Sequence, residues 1–175
     1  HKLKFYRSHG ITKDKKFLSK KNKESWYYEC KDLGFNYRLN DIQSALGVSQ
    51  LKKVDKWLTY RNKLAKNYQK KLKDLPIKFF SVKKGFYSSY HLFIVKVLNN
   101  KKNLNRDNLF KYLLKKNVQT NVHYIPIHKH PFYKKLGFKS KNYPNAENYF
   151  KDCLSLPMHA ALKISEQNKV INLIN

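Results

Sequence analysis

LGFNYRLNDIQSALG, residues 33–47, is typical of an irregular loop that leads directly into an amphipathic helix. Asn40 suits the N-cap position, and Gln43, three residues later, can complete a capping box. Apolar residues then recur at helical spacing, which predicts a helix after the cap. Asn36 and Arg38 precede the cap, where a helix N-terminus presents partial positive charge and free N–H donors that suit an anion. From these residues alone, a surface loop before a well-capped helix is the simpler interpretation.

The composition is that of a globular protein with a large positive charge. The 175 residues are 41% hydrophobic and 15% aromatic, enough for one sizeable core. The formal net charge is +27, but only four of the 38 basic residues are arginine, and the lysines are spread along the whole chain. Nucleic-acid-binding proteins favour the arginine fork for bidentate contacts. We therefore interpret the charge as a compositional bias with solvated faces and do not expect a nucleic-acid partner.

The sequence gives no sign of a membrane segment or of a disulfide framework. No apolar run approaches the roughly 20 residues that span a bilayer, and no signal-peptide pattern opens the chain. Cys30 and Cys153 lie far apart in unlike contexts and form neither a CxxC pair nor a recognisable set of bridges. We expect free thiols, a cytoplasmic location and no membrane partner.

Hydrophobic periodicity predicts an α+β fold with a small, mostly antiparallel sheet, covering helices and one long helix. The long helix begins at Asp41, and its apolar stripe continues to Leu72. A helix of that length is expected either to bridge to another domain or to break near Lys52 and Lys53. The other predicted elements are a helix that ends near His9 with Gly10 as its stop, strands at 77–82, 90–98 and 118–124, a helix capped by Asn105, a helix at 145–153, and a last helix, 166–175, capped by Ser165.

A second dense patch, NVHYIPIHKHP at residues 121–131, contains three histidines within eight residues. No cysteine or acidic residue lies nearby to complete a tetrahedral set, so we do not expect a metal site. One interpretation is an ordinary strand end with histidines at the surface. The other is a polar strand end that offers the side chains of Asn121, His123 and Tyr124, with the Val122 backbone, to a polar ligand.

The residues alone supply no complete catalytic set. No serine lies in a nucleophile elbow, and neither cysteine has a convincing partner histidine in the sequence.

Four stretches of the sequence resemble, in order and spacing, motifs of the DegT/StrS-type nucleotide-sugar aminotransferases. GFNYRLNDIQSALG resembles the family's GxNxRLxxIQxALG signature, and the others are RSHGI at 7–11, VHYIPI at 122–127 and LSLPMH at 154–159. The matches extend across nearly the whole chain, and they are most similar to the pseudaminic-acid branch of the family. The resemblance implies a type I pyridoxal-phosphate (PLP) fold, with residues 1–34 as the end of the large domain and an inter-domain or inter-subunit excursion, and residues 35–175 as the C-terminal α+β domain.

The resemblance also implies roles for individual residues. Asn36 would contact the phosphate of the partner subunit's PLP across a homodimer, with Arg38 beside it. Residues that would contact the sugar nucleotide are Asn121, Val122, His123 and Tyr124. The family's cofactor-binding (aldimine) lysine precedes RSHG and is not in this chain, so no catalytic residue is assigned and PLP is not expected to bind this chain covalently.

The reaction implied for the intact enzyme transfers an amino group from an amino acid, with glutamate as the expected donor, to a 4-keto-6-deoxy sugar nucleotide used in surface-glycan biosynthesis. The chain is then expected to be the C-terminal portion of that enzyme and inactive alone. Two alternatives remain open at this point: a non-catalytic binding module with the same fold, and a basic nucleic-acid-binding protein.

Overall fold

The computed structural model describes residues 2–19, 24–98 and 105–175. These residues form two compact units, His1–Lys53 and Val54–Asn175. The α-helices of the described residues are α1 (Lys2–Arg7), α2 (Asp41–Leu51), α3 (Val54–Lys71), α4 (Arg106–Lys115), α5 (Pro131–Lys135), α6 (Pro144–Asp152) and α7 (Ile164–Ile174). The strands are β1 (Ile11–Thr12), β2 (Glu29–Cys30), β3 (Ile77–Phe79), β4 (Phe93–Val97) and β5 (Cys153–Leu156).

The first unit contains α1, the short antiparallel pair β1–β2, and α2. As expected, α1 stops before a glycine: Gly10 has φ +66°, a conformation that favours glycine. A Cβ built on Gly10 would lie 1.9 Å from the backbone oxygen of Asp32, so the turn after α1 lies directly against the chain that leads to α2.

The capping box predicted at the start of α2 is confirmed. Gln43 N–H donates to Asn40 Oδ1 at 2.9 Å, and Asn40 N–H donates to Gln43 Oε1 at 3.3 Å. The helix ends at Leu51 and α3 begins at Val54, so the apolar stripe is divided at Lys52 and Lys53, one of the two expected outcomes. This is also where the two compact units divide, later than the boundary after residue 34 in the sequence prediction. The assignment of residues 1–34 to the end of a larger domain stays a prediction.

The second unit is built on a three-stranded antiparallel sheet with the order β3–β4–β5. Inward-facing residues alternate along β4, whereas all four residues of β5 are buried. The sheet packs against helices α3, α4 and α7 through a core that includes Tyr68, Leu72, Val95, Leu113, Leu154 and Ile171. The expected α+β class with a small antiparallel sheet is confirmed.

Three predicted elements differ from the structure. Residues 118–124 do not form a strand beyond an isolated bridge between Asn121 and Ser155; the third strand is β5, whose buried residues pair with β4. The helix predicted to include Cys153 ends at Asp152 because Cys153 is the first residue of that strand. The last helix begins after Lys163, not after Ser165, since the Glu166 side chain accepts the Lys163 N–H at 2.8 Å. Within the described residues, no helix has the length and apolarity to cross a membrane.

Candidate functional site

Asn36 is held in place by backbone hydrogen bonds between residues 35–37 and the end of α1. Phe35 N–H donates to Tyr6 O at 2.7 Å, and Tyr37 N–H donates to Arg7 O at 3.0 Å. Ser8 and Asn36 form an isolated antiparallel bridge between these two contacts. The position of the Asn36 side chain is therefore fixed by main-chain pairing with the segment that contains RSHG.

The side chain of Asn36 belongs to a polar group with Arg38 and His9. Arg38 Nη2 and Nε donate to Asn36 Oδ1 at 2.7 and 3.1 Å, and Arg38 Nη2 lies 3.3 Å from His9 Nε2. A guanidinium can only donate, so the amide oxygen of Asn36 faces Arg38 and its Nδ2 remains a donor. All three side chains are exposed. Sequence reasoning did not select His9, although the RSHG motif contained the signal.

The aromatic residues of the same loop lie on the side opposite to Asn36 and Arg38. The rings of Phe35 and Tyr37 are stacked with centroids 4.8 Å apart and an interplanar angle of 10°. Because side chains alternate along an extended segment, the aromatic pair faces away from Asn36 and Arg38. The Asn40 cap already uses the Gln43 N–H of α2. Besides the other N–H groups in the first turn of α2, the side chains of Asn36 and Arg38 are donors for an anion at this loop.

The second candidate region, residues 121–124, lies along β5. Ser155 N–H donates to Asn121 O at 2.8 Å, and Asn121 N–H donates to Ser155 O at 3.3 Å. His123 Nδ1 is 2.7 Å from Ser155 Oγ, and Cys153 Sγ is 3.8 Å from the carbonyl oxygen of His123. Burial raises the pKa of the Cys153 thiol, which keeps it protonated and suited to this weak donor role.

Next to this segment is a cleft of about 280 Å³. Its lining includes Leu92, Gln119, Thr120, Asn121, His123, Ser155, Leu156, Pro157 and Met158. Of the four predicted contact residues, Asn121 and His123 line the cleft, and Val122 packs against the core while its N–H donates to the Asn121 side chain at 2.8 Å. Tyr124 is 69% exposed, and its ring meets that of His123 edge-on. Sequence reasoning missed Ser155, although it lies in the LSLPMH motif.

The histidine that follows this segment has a structural role. His128 is only 7% exposed, so the interpretation of surface histidines is wrong for it. His128 Nε2 lies 2.6 Å from Glu147 Oε1, Lys129 Nζ lies 2.7 Å from Glu147 Oε2, and the His128 ring stacks on Tyr143. Lys129 and then His128 lower the pKa of the Glu147 carboxyl to about 2. In the described part of the chain, no group of three or more metal-ligating side chains is brought together.

Comparison with known proteins gives one family. The family model described as "DegT/DnrJ/EryC1/StrS aminotransferase family" matches residues 1–175. The UDP-4-amino-4,6-dideoxy-N-acetyl-beta-L-altrosamine transaminase of Campylobacter jejuni serotype O:2 is 37% identical over 167 residues, which cover 94% of this chain and 41% of that protein.

Two solved structures are similar to the fold. PseC of Helicobacter pylori, an aminotransferase involved in the biosynthesis of pseudoaminic acid, has a TM-score of 0.74 and 31% identity, covering 99% of this chain and 44% of its own. The PLP-form of Spr1654 from Streptococcus pneumoniae has a TM-score of 0.77 and 27% identity. The match covers 98% of this chain and 41% of the Spr1654 chain. This chain thus spans less than half the length of these relatives. The resemblance seen in the four sequence motifs is confirmed: the chain belongs to the DegT/DnrJ/EryC1/StrS aminotransferase family.

Proposed function

We propose that this chain forms the part of a PLP-dependent sugar-nucleotide aminotransferase that contacts the cofactor phosphate and the sugar nucleotide. The intact enzyme transfers an amino group from an amino acid, with glutamate as the expected donor, to a 4-keto-6-deoxy sugar nucleotide for surface-glycan biosynthesis in the cytoplasm. When bound, PLP supplies the electron sink that this chemistry requires. The residues of this chain bind and orient the reacting groups.

The observation that carries the proposal is the fixed orientation of the Asn36 amide. Arg38 donates to the amide oxygen of Asn36, so the amide nitrogen of Asn36 is left as a donor. It lies next to a guanidinium that stays charged at any ordinary pH. A donor-only pair of this kind suits a phosphate dianion. Both side chains are exposed and are therefore free to meet a group on another chain.

An extensive apolar surface supports the proposal that this group meets the cofactor of a second subunit. Around Asn36, the loop and α2 expose a series of large apolar side chains: Leu33, Phe35, Tyr37, Leu39, Ile42, Leu46, Val48 and Leu51. Soluble proteins rarely leave large apolar surfaces uncovered. A homodimer would bury the surface and place Asn36 at the interface.

For the sugar nucleotide, the support is the cleft beside β5. Asn121 and His123 place polar atoms at its wall, and Pro157 and Met158 contribute apolar surface, a combination typical of small-molecule sites. The net charge of +27 would attract the anionic diphosphate. Tyr124, which is exposed beside His123, is available for a further contact.

We propose further that the lysine that binds PLP covalently lies outside this chain, which would then be inactive alone. Incubation of the chain with PLP, followed by borohydride reduction and peptide mass spectrometry, tests this directly. We expect no single lysine to be labelled specifically. A stoichiometric modification at one lysine of this chain would overturn the assignment.

The activity is tested in the intact aminotransferase with glutamate and a UDP-4-keto-6-deoxy sugar. We expect amino transfer, and we expect Asn36→Ala to lower the affinity for PLP by tenfold or more, because a hydrogen bond to a charged group contributes about 1.5–3 kcal/mol. Asn148→Ala, at an exposed position on α6, is the matched control and should leave PLP affinity unchanged. The proposal fails if keto-sugar nucleotides are not aminated, or if both variants retain PLP equally.

A further inference from the structure

Two side chains of β5 hold His123 from one side of the sheet. Leu154 and Leu156 face the core, so Cys153 and Ser155, which alternate with them, face the other side. Cys153 Sγ meets the His123 carbonyl oxygen, and Ser155 Oγ meets His123 Nδ1. The backbone and the ring of His123 are thus fixed by one short strand.

The proton on the imidazole follows from the hydrogen bonds of Ser155. This serine is 6% exposed, and the partner of its hydroxyl among the described residues is His123 Nδ1 at 2.7 Å. If Nδ1 carried the proton, it would donate to Ser155 Oγ. The hydroxyl hydrogen of this largely buried serine would then have no acceptor among the described residues, which is unfavourable. If the hydroxyl donates to Nδ1, both groups are satisfied, and the proton of the neutral imidazole is on Nε2.

We propose that Ser155 is a positioning residue for the sugar-nucleotide site. By donating to Nδ1, it holds His123 as the Nε2–H tautomer, and Nε2–H then donates to an acceptor oxygen of the bound sugar nucleotide. Because His123 lines the cleft beside Asn121 and Thr120, its second nitrogen is the ring atom left for the ligand. The substrate-binding half of this inference rests on the proposed function; the hydrogen bond and the tautomer do not.

The tautomer is tested by NMR on the full 175-residue chain labelled with ¹⁵N at histidine, at a pH where His123 is neutral. We expect the ¹⁵N shifts of the Nε2–H form for wild type and Ser155→Thr, which retains a hydroxyl, and a mixture of tautomers for Ser155→Ala. Ser165→Ala, at an exposed position on α7, should match wild type. An Nδ1–H tautomer in wild type, or no change in Ser155→Ala, would overturn the proposal.

Binding is tested by calorimetric titration of the intact enzyme with a UDP-4-keto-6-deoxy sugar. Loss of a single positioning hydrogen bond in Ser155→Ala should weaken binding roughly three- to tenfold, with recovery in Ser155→Thr. His123→Gln, whose amide supplies an N–H near the position of Nε2, should retain more affinity than His123→Leu. Equal affinities for wild type and Ser155→Ala would overturn the positioning role. If wild type itself does not bind the sugar nucleotide while the tautomer depends on Ser155, the proposed function fails and the tautomer assignment stands.

Discussion

Gly34 and Gly10 approach so closely that a Cβ on Gly34 would lie 2.1 Å from the backbone nitrogen of Gly10. The neighbouring atom belongs to the main chain and cannot move aside as a flexible side chain would. This contact joins the turn that follows α1 to the loop that contains Asn36. The glycine in GFNYR is therefore required for packing, and the RSHG glycine is its partner.

We expect Gly34→Ala to destabilise the first unit by about 1–3 kcal/mol, the usual cost of an added methyl group in a tightly packed place. Hydrogen-exchange mass spectrometry should show faster exchange at Tyr37 N–H, which donates to Arg7 O in the native chain. Gly47→Ala is the control, since a Cβ at this helical position meets nothing within 4 Å. It should be neutral or stabilise α2 by up to about 1 kcal/mol. Faster exchange in both variants, or in neither, would contradict the packing role.

The contacts of Glu147 with His128 and Lys129 are expected to make the stability of the chain depend on pH in the acid range. Lys129 and His128 lower the pKa of Glu147 from 4.5 to about 2. A lowered folded-state pKa gives stability that is present above about pH 4.5 and is lost as the pH falls toward 2. The difference in unfolding free energy between wild type and Glu147→Gln should therefore shrink over that interval. A difference that stays constant between pH 6 and pH 2.5 would contradict this origin.

The exposed apolar residues of α2 should control self-association. Ile42 is 82% exposed, so Ile42→Lys removes little burial from the folded chain and places a charge on the proposed interface. We expect sedimentation of the intact aminotransferase to show a dimer dissociation constant raised by tenfold or more, because a charge buried at an interface without a partner is strongly unfavourable. Lys56→Gln, at an exposed position on α3, is the control. Unchanged dimerisation of Ile42→Lys would remove α2 from the interface.

Local chemistry predicted the parts of the fold that depend on near neighbours. The Asn40 cap, the Asn105 cap and the glycine that stops α1 were identified because each involves residues within a few positions of one another. The motif loop around Asn36 was selected for the same reason. Its pairing with Ser8 depends on a contact across 28 positions, which no periodicity reveals.

The third strand was misassigned because tertiary pairing outweighed β propensity. Residues 118–124 have the composition of a strand, yet only Asn121 pairs, whereas β5 has four residues buried on both faces and no alternation to signal a strand. Ser155 could not be selected as a partner of His123 because 32 positions separate them. His128 likewise is buried by Tyr143 and Glu147, which come from later in the chain.

The central claim, that Asn36 serves the cofactor of a second subunit, is tested most directly with mixed dimers. One type of subunit carries Asn36→Ala, and the other lacks the lysine that binds PLP. If Asn36 acts across the interface, the mixed dimer contains one complete site. It should therefore hold one PLP tightly and transfer amino groups at a limiting PLP concentration at which neither parent dimer is active. If mixed dimers form but neither hold PLP tightly nor regain activity, Asn36 does not act across the interface and the account is contradicted.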